Sequence, residues 1–165
     1  MTSGDSKVQK VQTNFQALSS VASSLNAASD ELTKVIGVLD EALKKLNLGL
    51  IVWVGFRWRS SEPPYYDLDQ IGYSKINGKW GIALRRIWGD ESHDVESEEG
   101  PWLFNDAPRE MRLHSVDKIP ALIEELGKEA LTTAKRVQEK AREARELANA
   151  IEKIASDQAN AKGGK

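Results

Sequence analysis

Positions 8, 11, 15, 18, 22, 25, 29, 32, 36, 39, 43 and 46 follow one another at strict intervals of three and four. They read Val, Val, Phe, Leu, Ala, Leu, Ser, Leu, Ile, Leu, Leu, Leu. Only Ser29 is polar. A spacing near 3.5 residues, sustained over so many turns, draws a narrow apolar stripe down one helix. Such a stripe is a seam for another helix rather than the broad face of an ordinary surface helix. Asp40 before Lys44 and Glu41 before Lys45 add acid-to-base pairs four residues apart. Asn47 and Gly49 supply the stop. A helix of some forty residues is roughly 60 Å long at 1.5 Å per residue, so the spacing predicts an elongated molecule.

A second row begins near Ile123. Positions 123, 127, 130, 134, 137, 141, 144, 148, 151 and 155 read Ile, Gly, Ala, Ala, Val, Ala, Ala, Ala, Ile, Ala, nearly all small. Asp106 and Pro108 mark the start of this helical segment, and Pro120 kinks or restarts it. A row of small residues admits a close neighbour, and the first helix offers large ones over a similar length. The expected fold is therefore α+β: two long helices forming an antiparallel coiled-coil-like hairpin around a small antiparallel head of three to four strands. The competing arrangement pairs each seam with its own copy in a dimer.

The head occupies residues 48–105, between helical segments 1–47 and 106–165, and the three together make one elongated domain with a short flexible tail. Leu50 to Arg59 alternates, with Leu50, Val52, Val54, Phe56 and Trp58 on one side and Ile51, Trp53, Gly55, Arg57 and Arg59 on the other. Asn77-Gly78 between two alternating runs signals a type I′ hairpin and sets a register. With Ile76 opposite Lys79, an apolar face pairs Tyr73 with Ile82, Ile71 with Leu84, Asp69 with Arg86 and Lys75 with Trp80. The other face pairs Ser74 with Gly81, Gly72 with Ala83 and Gln70 with Arg85. That strip is almost bare, so a helix or a ligand is expected to approach it. Trp102, Leu103 and Phe104 could add a fourth strand.

Function is less legible. With 40% hydrophobic residues, 165 residues suffice for a core. The net charge of −2 points to no electrostatic partner. The outer segments carry net charges of 0 and +1 and the head −3. Cysteine is absent, which excludes disulfides, thiolate zinc sites and a cysteine nucleophile. The longest apolar run, Leu48 to Phe56, is too short to span a membrane, and a cytoplasmic protein is the simplest expectation. The two histidines, His93 and His114, stand in no catalytic spacing, and no phosphate-binding glycine loop or nucleophile elbow occurs. No enzyme, cofactor or metal site is expected. The acidic stretch from Asp90 to Glu99 lacks the order of a calcium loop and reads as a solvated connection. Pro63-Pro64-Tyr65-Tyr66 matches the P-P-x-Y pattern and resembles a ligand of WW domains, though the prolines also serve to turn the chain.

What remains is a binding protein: an adaptor, scaffold or assembly subunit, with homo-oligomerisation or another protein as partner. All five tryptophans lie in the head, more ring surface than a small sheet hides. Trp53, Arg57, Trp58, Arg59, Arg85 and Trp88 are accordingly the candidate partner-binding residues. The alternative is a nucleic-acid-binding accessory protein in which Trp53, Arg57, Arg59 and Arg85 stack bases and hold phosphates.

Overall fold

A computed structural model describes residues 3–60, 62–93 and 95–162. Helix α1 (Ser3–Leu46) leads into four strands, β1 (Val52–Ser60), β2 (Tyr65–Ile76), β3 (Lys79–Asp90) and β4 (Val95–Leu103). A 3₁₀ turn (Phe104–Asp106), the short helix α2 (Arg109–Ser115) and the long helix α3 (Ile119–Lys162) follow. The strands form one antiparallel sheet in the order β1-β2-β3-β4. Helix α1 ends where its sequence says it should, with Asn47 and Gly49 both at positive φ. Pro120 stands in the first turn of α3, where its missing N–H costs nothing, so it restarts the helix instead of bending it.

The β2–β3 hairpin has the register that Asn77-Gly78 dictates, with Tyr73 opposite Ile82, Ile71 opposite Leu84 and Asp69 opposite Arg86. Both turn residues take positive φ, as a type I′ turn requires. The fourth strand is longer than the sequence suggests, and Val95 to Glu99, expected in a connection, belong to it. Its glutamates have strand partners, which is why an acidic run can be ordered. Asp94 and the expected tail beyond residue 162 lie outside the described residues.

The expected helical hairpin is not what the chain forms. Both long helices dock on the apolar face of the sheet instead. Ile36 of α1 and Ile119, Leu122 and Leu126 of α3 join Ile71, Tyr73, Ile82 and Leu84 in one buried cluster, with Phe104, Ala107 and Met111 closing it. Leu32, Leu39 and Leu43 pack against the same cluster. The sheet wins because it offers each helix a wide apolar surface, whereas a lone helix offers one narrow stripe. The docked row of α3 is also one residue earlier than the expected seam: Ile123 is exposed while Leu122 is fully buried. A Cβ added to Gly127 would meet nothing within 4 Å, so no helix lies against the small-residue row there.

Polar contacts hold the inner end of α1 in place. The Asp40 carboxylate accepts the backbone N–H of Ile82 at 2.7 Å, on the edge of β3 just past the end of β4. Arg109 at the start of α2 donates to the Asn26 side chain at 3.3 Å.

Candidate interaction surfaces

Strand β1 pairs regularly with β2 from Val52 to Gly55 and then carries two bulges. One falls between Gly55 and Arg57, the other between Trp58 and Ser60. Each bulge sets two residues against one and shifts the alternation. Phe56 and Arg57 therefore both face the helix side, Arg59 follows, and Trp58 turns to the opposite face. The arginines expected beside Trp53 and Arg85 are thereby separated from them, and Trp58 leaves the apolar side on which alternation placed it.

Arg57 and Arg59 meet Asp69, whose side chain is completely buried. Arg57 Nε donates to its Oδ2 at 2.8 Å, Arg86 Nε to its Oδ1 at 2.8 Å and Arg59 Nε to Oδ2 at 3.3 Å. Two further carboxylates complete the cluster: Glu110 of α2 accepts from Arg57 at 2.8 Å and Glu99 of β4 from Arg86 at 3.1 Å. Burial pushes the Asp69 carboxyl up, but hydrogen bonds from Arg86, Arg57 and Arg59 together outweigh it and hold the pKa below its ordinary value. The cluster ties β1, β2, β3, β4 and α2 together. Arg57 and Arg86 each meet two carboxylates, while Arg59 reaches Asp69 through Nε alone. Asp69 on the apolar face of the hairpin was the signal available beforehand, since a buried carboxylate demands cations. Which arginines would answer was hidden by the bulges.

On the open face the bare strip is filled by Trp53 over Gly72 and by Leu103 and the α1 side chain Asp40 at Gly81. A Cβ on Gly72 would lie 2.4 Å from the Trp53 ring, and one on Gly81 would lie 3.1 Å from Leu103 and 3.2 Å from the Asp40 carboxylate of α1. Trp53 thus lies flat across β2, while at Gly81 the expected helix does come close, through the Asp40 carboxylate of α1. Above it the Arg85 guanidinium stands 4.3 Å from the ring centroid. Gln70 and Glu98 hold that guanidinium by hydrogen bonds of 2.8 and 2.7 Å. Glycine, tryptophan and arginine form three layers, a cation–π stack with both ring faces used.

The remaining candidates lie apart from one another. Trp58, 63% exposed, is on the open face, and Trp88, 40% exposed, is on the helix side near the β3–β4 turn. Pro63 and Pro64 form a turn in which Tyr65 N–H donates to Glu62 and Glu91 N–H to Pro64. Tyr65 and Tyr66 lie in β2, not in a polyproline segment. The Tyr66 hydroxyl donates to Glu96 at 2.7 Å. In the β3–β4 turn Asp90 accepts from Ser92 and contacts His93 Nδ1. His114 is exposed on α2 beside Glu110.

A cleft of about 340 Å³ between the end of α1 and the hairpin is lined by Lys44, Asn47, Leu48, Gly49, Tyr73, Lys79 and Trp80. Tyr73 and Trp80 stack there at 5.6 Å. Its lining includes no histidine or carboxylate. Among the described residues no group of three or more His, Asp or Glu is placed to hold a metal ion, and no helix is long and apolar enough to cross a membrane.

Long uncovered apolar rows lie on the helices. Val8, Val11, Phe15, Leu18 and Leu25 continue the docked row of α1 outward, and all are exposed, Phe15 at 69%. On α3 every side chain from residue 134 to 159 is exposed, including Val137, Leu147, Ile151 and Ile154. No protein-family model, curated protein or solved structure matches this chain.

Proposed function

We propose that this chain is a non-catalytic interaction subunit, a scaffold or assembly component in which a folded β head holds two helical arms for pairing with other helices. The observation that carries the reading is the row Val8, Val11, Phe15, Leu18 and Leu25. It keeps coiled-coil spacing for its whole length after sheet contact has ended, yet it is bare. Nothing in the head requires that spacing. Full burial of each such side chain stabilises by about 1.5–3 kcal/mol, so a helical partner has a strong driving force. The engagement of Arg57, Arg85 and Arg86 by carboxylates also favours protein over nucleic acid as the partner class.

The test compares the full chain with its Phe15→Ser/Leu18→Ser variant from about 1 to 100 µM by sedimentation and circular dichroism. The proposal expects apparent mass, helicity and melting temperature to rise together with concentration in the native chain and to rise less in the variant. A mass of 18.3 kDa throughout, with helicity and melting indifferent to both concentration and substitution, would overturn it.

A further inference from the structure

The outer length of α3 carries a more specific pattern than the outer length of α1, because charge flanks its seam. Ala134, Val137, Ala141, Ala144, Ala148, Ile151 and Ala155 form the seam. The positions beside it are Gln138, Arg145 and Glu152 on one flank and Lys140, Leu147 and Ile154 on the other. Some charges of this helix are engaged within it, Lys128 with Glu124 and Glu125 and Lys140 with Glu143. Among the described residues Arg145 and Glu152 make no ion pair.

The flanks discriminate between ways of pairing two copies. A parallel, in-register pair sets Lys140 of one helix against Arg145 of the other, twice, a repulsive arrangement. An antiparallel pair that layers Ala148 on Ala144 sets Arg145 against Arg145. Moving that layering by two heptads sets Glu152 against Glu152. The register between these layers Ala148 on Ile151 and Ala144 on Ala155, and it sets Arg145 against Glu152 at both ends. In the same register Leu147 of one helix meets Ile154 of the other, so the two largest flanking side chains cover the seam. The small residues of the central layers let the backbones come close, the apolar layering ends where Ala141 meets Gln158, and the arrangement closes on itself by two-fold symmetry.

We infer that the outer half of α3 is a homodimerisation surface, occupied by the α3 helix of a second copy running antiparallel and centred between Asn149 and Ala150. The inference rests on the reading that the arms pair with helices, and it names the partner and register for one arm. Alanine layers and two ion pairs make a modest interface, so a dimer forming at tens of micromolar is expected.

Sedimentation equilibrium of the full chain with Arg145→Glu, Glu152→Arg and the two exchanged together supplies the test. Each single reversal should weaken the dimer by about tenfold, because two attractions become two repulsions, and the exchange should restore it. The chain has no cysteine, so Gln138→Cys accepts a single spin label. The register places the two labels at the axial offset of residues 138 and 161, about 35 Å at 1.5 Å per residue. A parallel pair would bring them within about 20 Å. A monomer at 100 µM, a short label distance, or single reversals that leave the dimer unchanged would each overturn the inference. Self-association that only Phe15→Ser/Leu18→Ser reduces would overturn it too, while leaving the functional proposal standing.

Discussion

The two ends of each long helix both carry apolar residues at helical spacing and meet opposite fates. On α1, Leu32, Ile36, Leu39 and Leu43 dock on the sheet while Val8, Val11, Phe15 and Leu18 stand in water. On α3, Leu122 and Leu126 are buried while Leu147 and Ile151 are open. Periodicity alone says that a face is apolar; it does not say what covers it. The inner ends are covered because the sheet is wide enough for two helices, and the sheet ends before the helices do.

Substitutions at matched positions sharpen this contrast. The largest effect is expected from Leu122→Ala, which should cost about 2–5 kcal/mol by leaving a cavity against Ile71 and Leu84. Leu147→Ala should stay within about 0.5 kcal/mol in the dilute monomer. Chemical denaturation below 1 µM measures both, and equal losses would erase the distinction between inner and outer lengths.

Charges divide in the same way. Asp69→Asn leaves three guanidinium groups around a neutral amide and should cost about 3 kcal/mol. Lys128→Ala, which breaks two exposed contacts on α3, should leave stability unchanged. The pH dependence has a defined sign. The Asp69 carboxyl in the folded chain lies below its ordinary value of 3.8, so ionisation favours folding. That contribution is whole above about pH 4 and is lost as the pH falls through the lowered value. Thermal melts between pH 2 and 7 should show this acid loss in the native chain and a smaller one in Asp69→Asn.

Two glycines give effects of opposite sign. Gly72→Ala drives a methyl into the Trp53 ring and the Val52 carbonyl and should cost about 1–3 kcal/mol. Gly127→Ala enters open space in a helix interior and should stabilise by about 0.5–1 kcal/mol. A destabilised Gly127→Ala monomer would mean that something does lie against that row.

Features decided by neighbours in the chain were legible in the amino-acid sequence. The stop of α1 at Asn47, the type I′ turn at Asn77-Gly78, the pairing that follows from it and the restart at Pro120 each depend on a few adjacent dihedral angles. The apolar row of α1 was legible as well, including the stretch that docks. Trp53 and Arg85 were placed on one face correctly, because Trp53 precedes the first bulge and Arg85 lies in the hairpin whose register the turn sets.

The tertiary structure decided everything that depends on competition between distant surfaces. Whether the long helices meet each other or the sheet turns on which contact buries more apolar area, and no local pattern holds that comparison. The docked row of α3 fell one residue from the expected seam because Ile119, Leu122 and Leu126, not the small residues, carry bulk enough to fill the space above Ile71 and Leu84. The bulges of β1 answer a demand raised elsewhere, by a carboxylate on β2 that must be neutralised once it is buried. Alternation is a property of one strand, and the electrostatic cost of burying Asp69 belongs to four strands and a helix together.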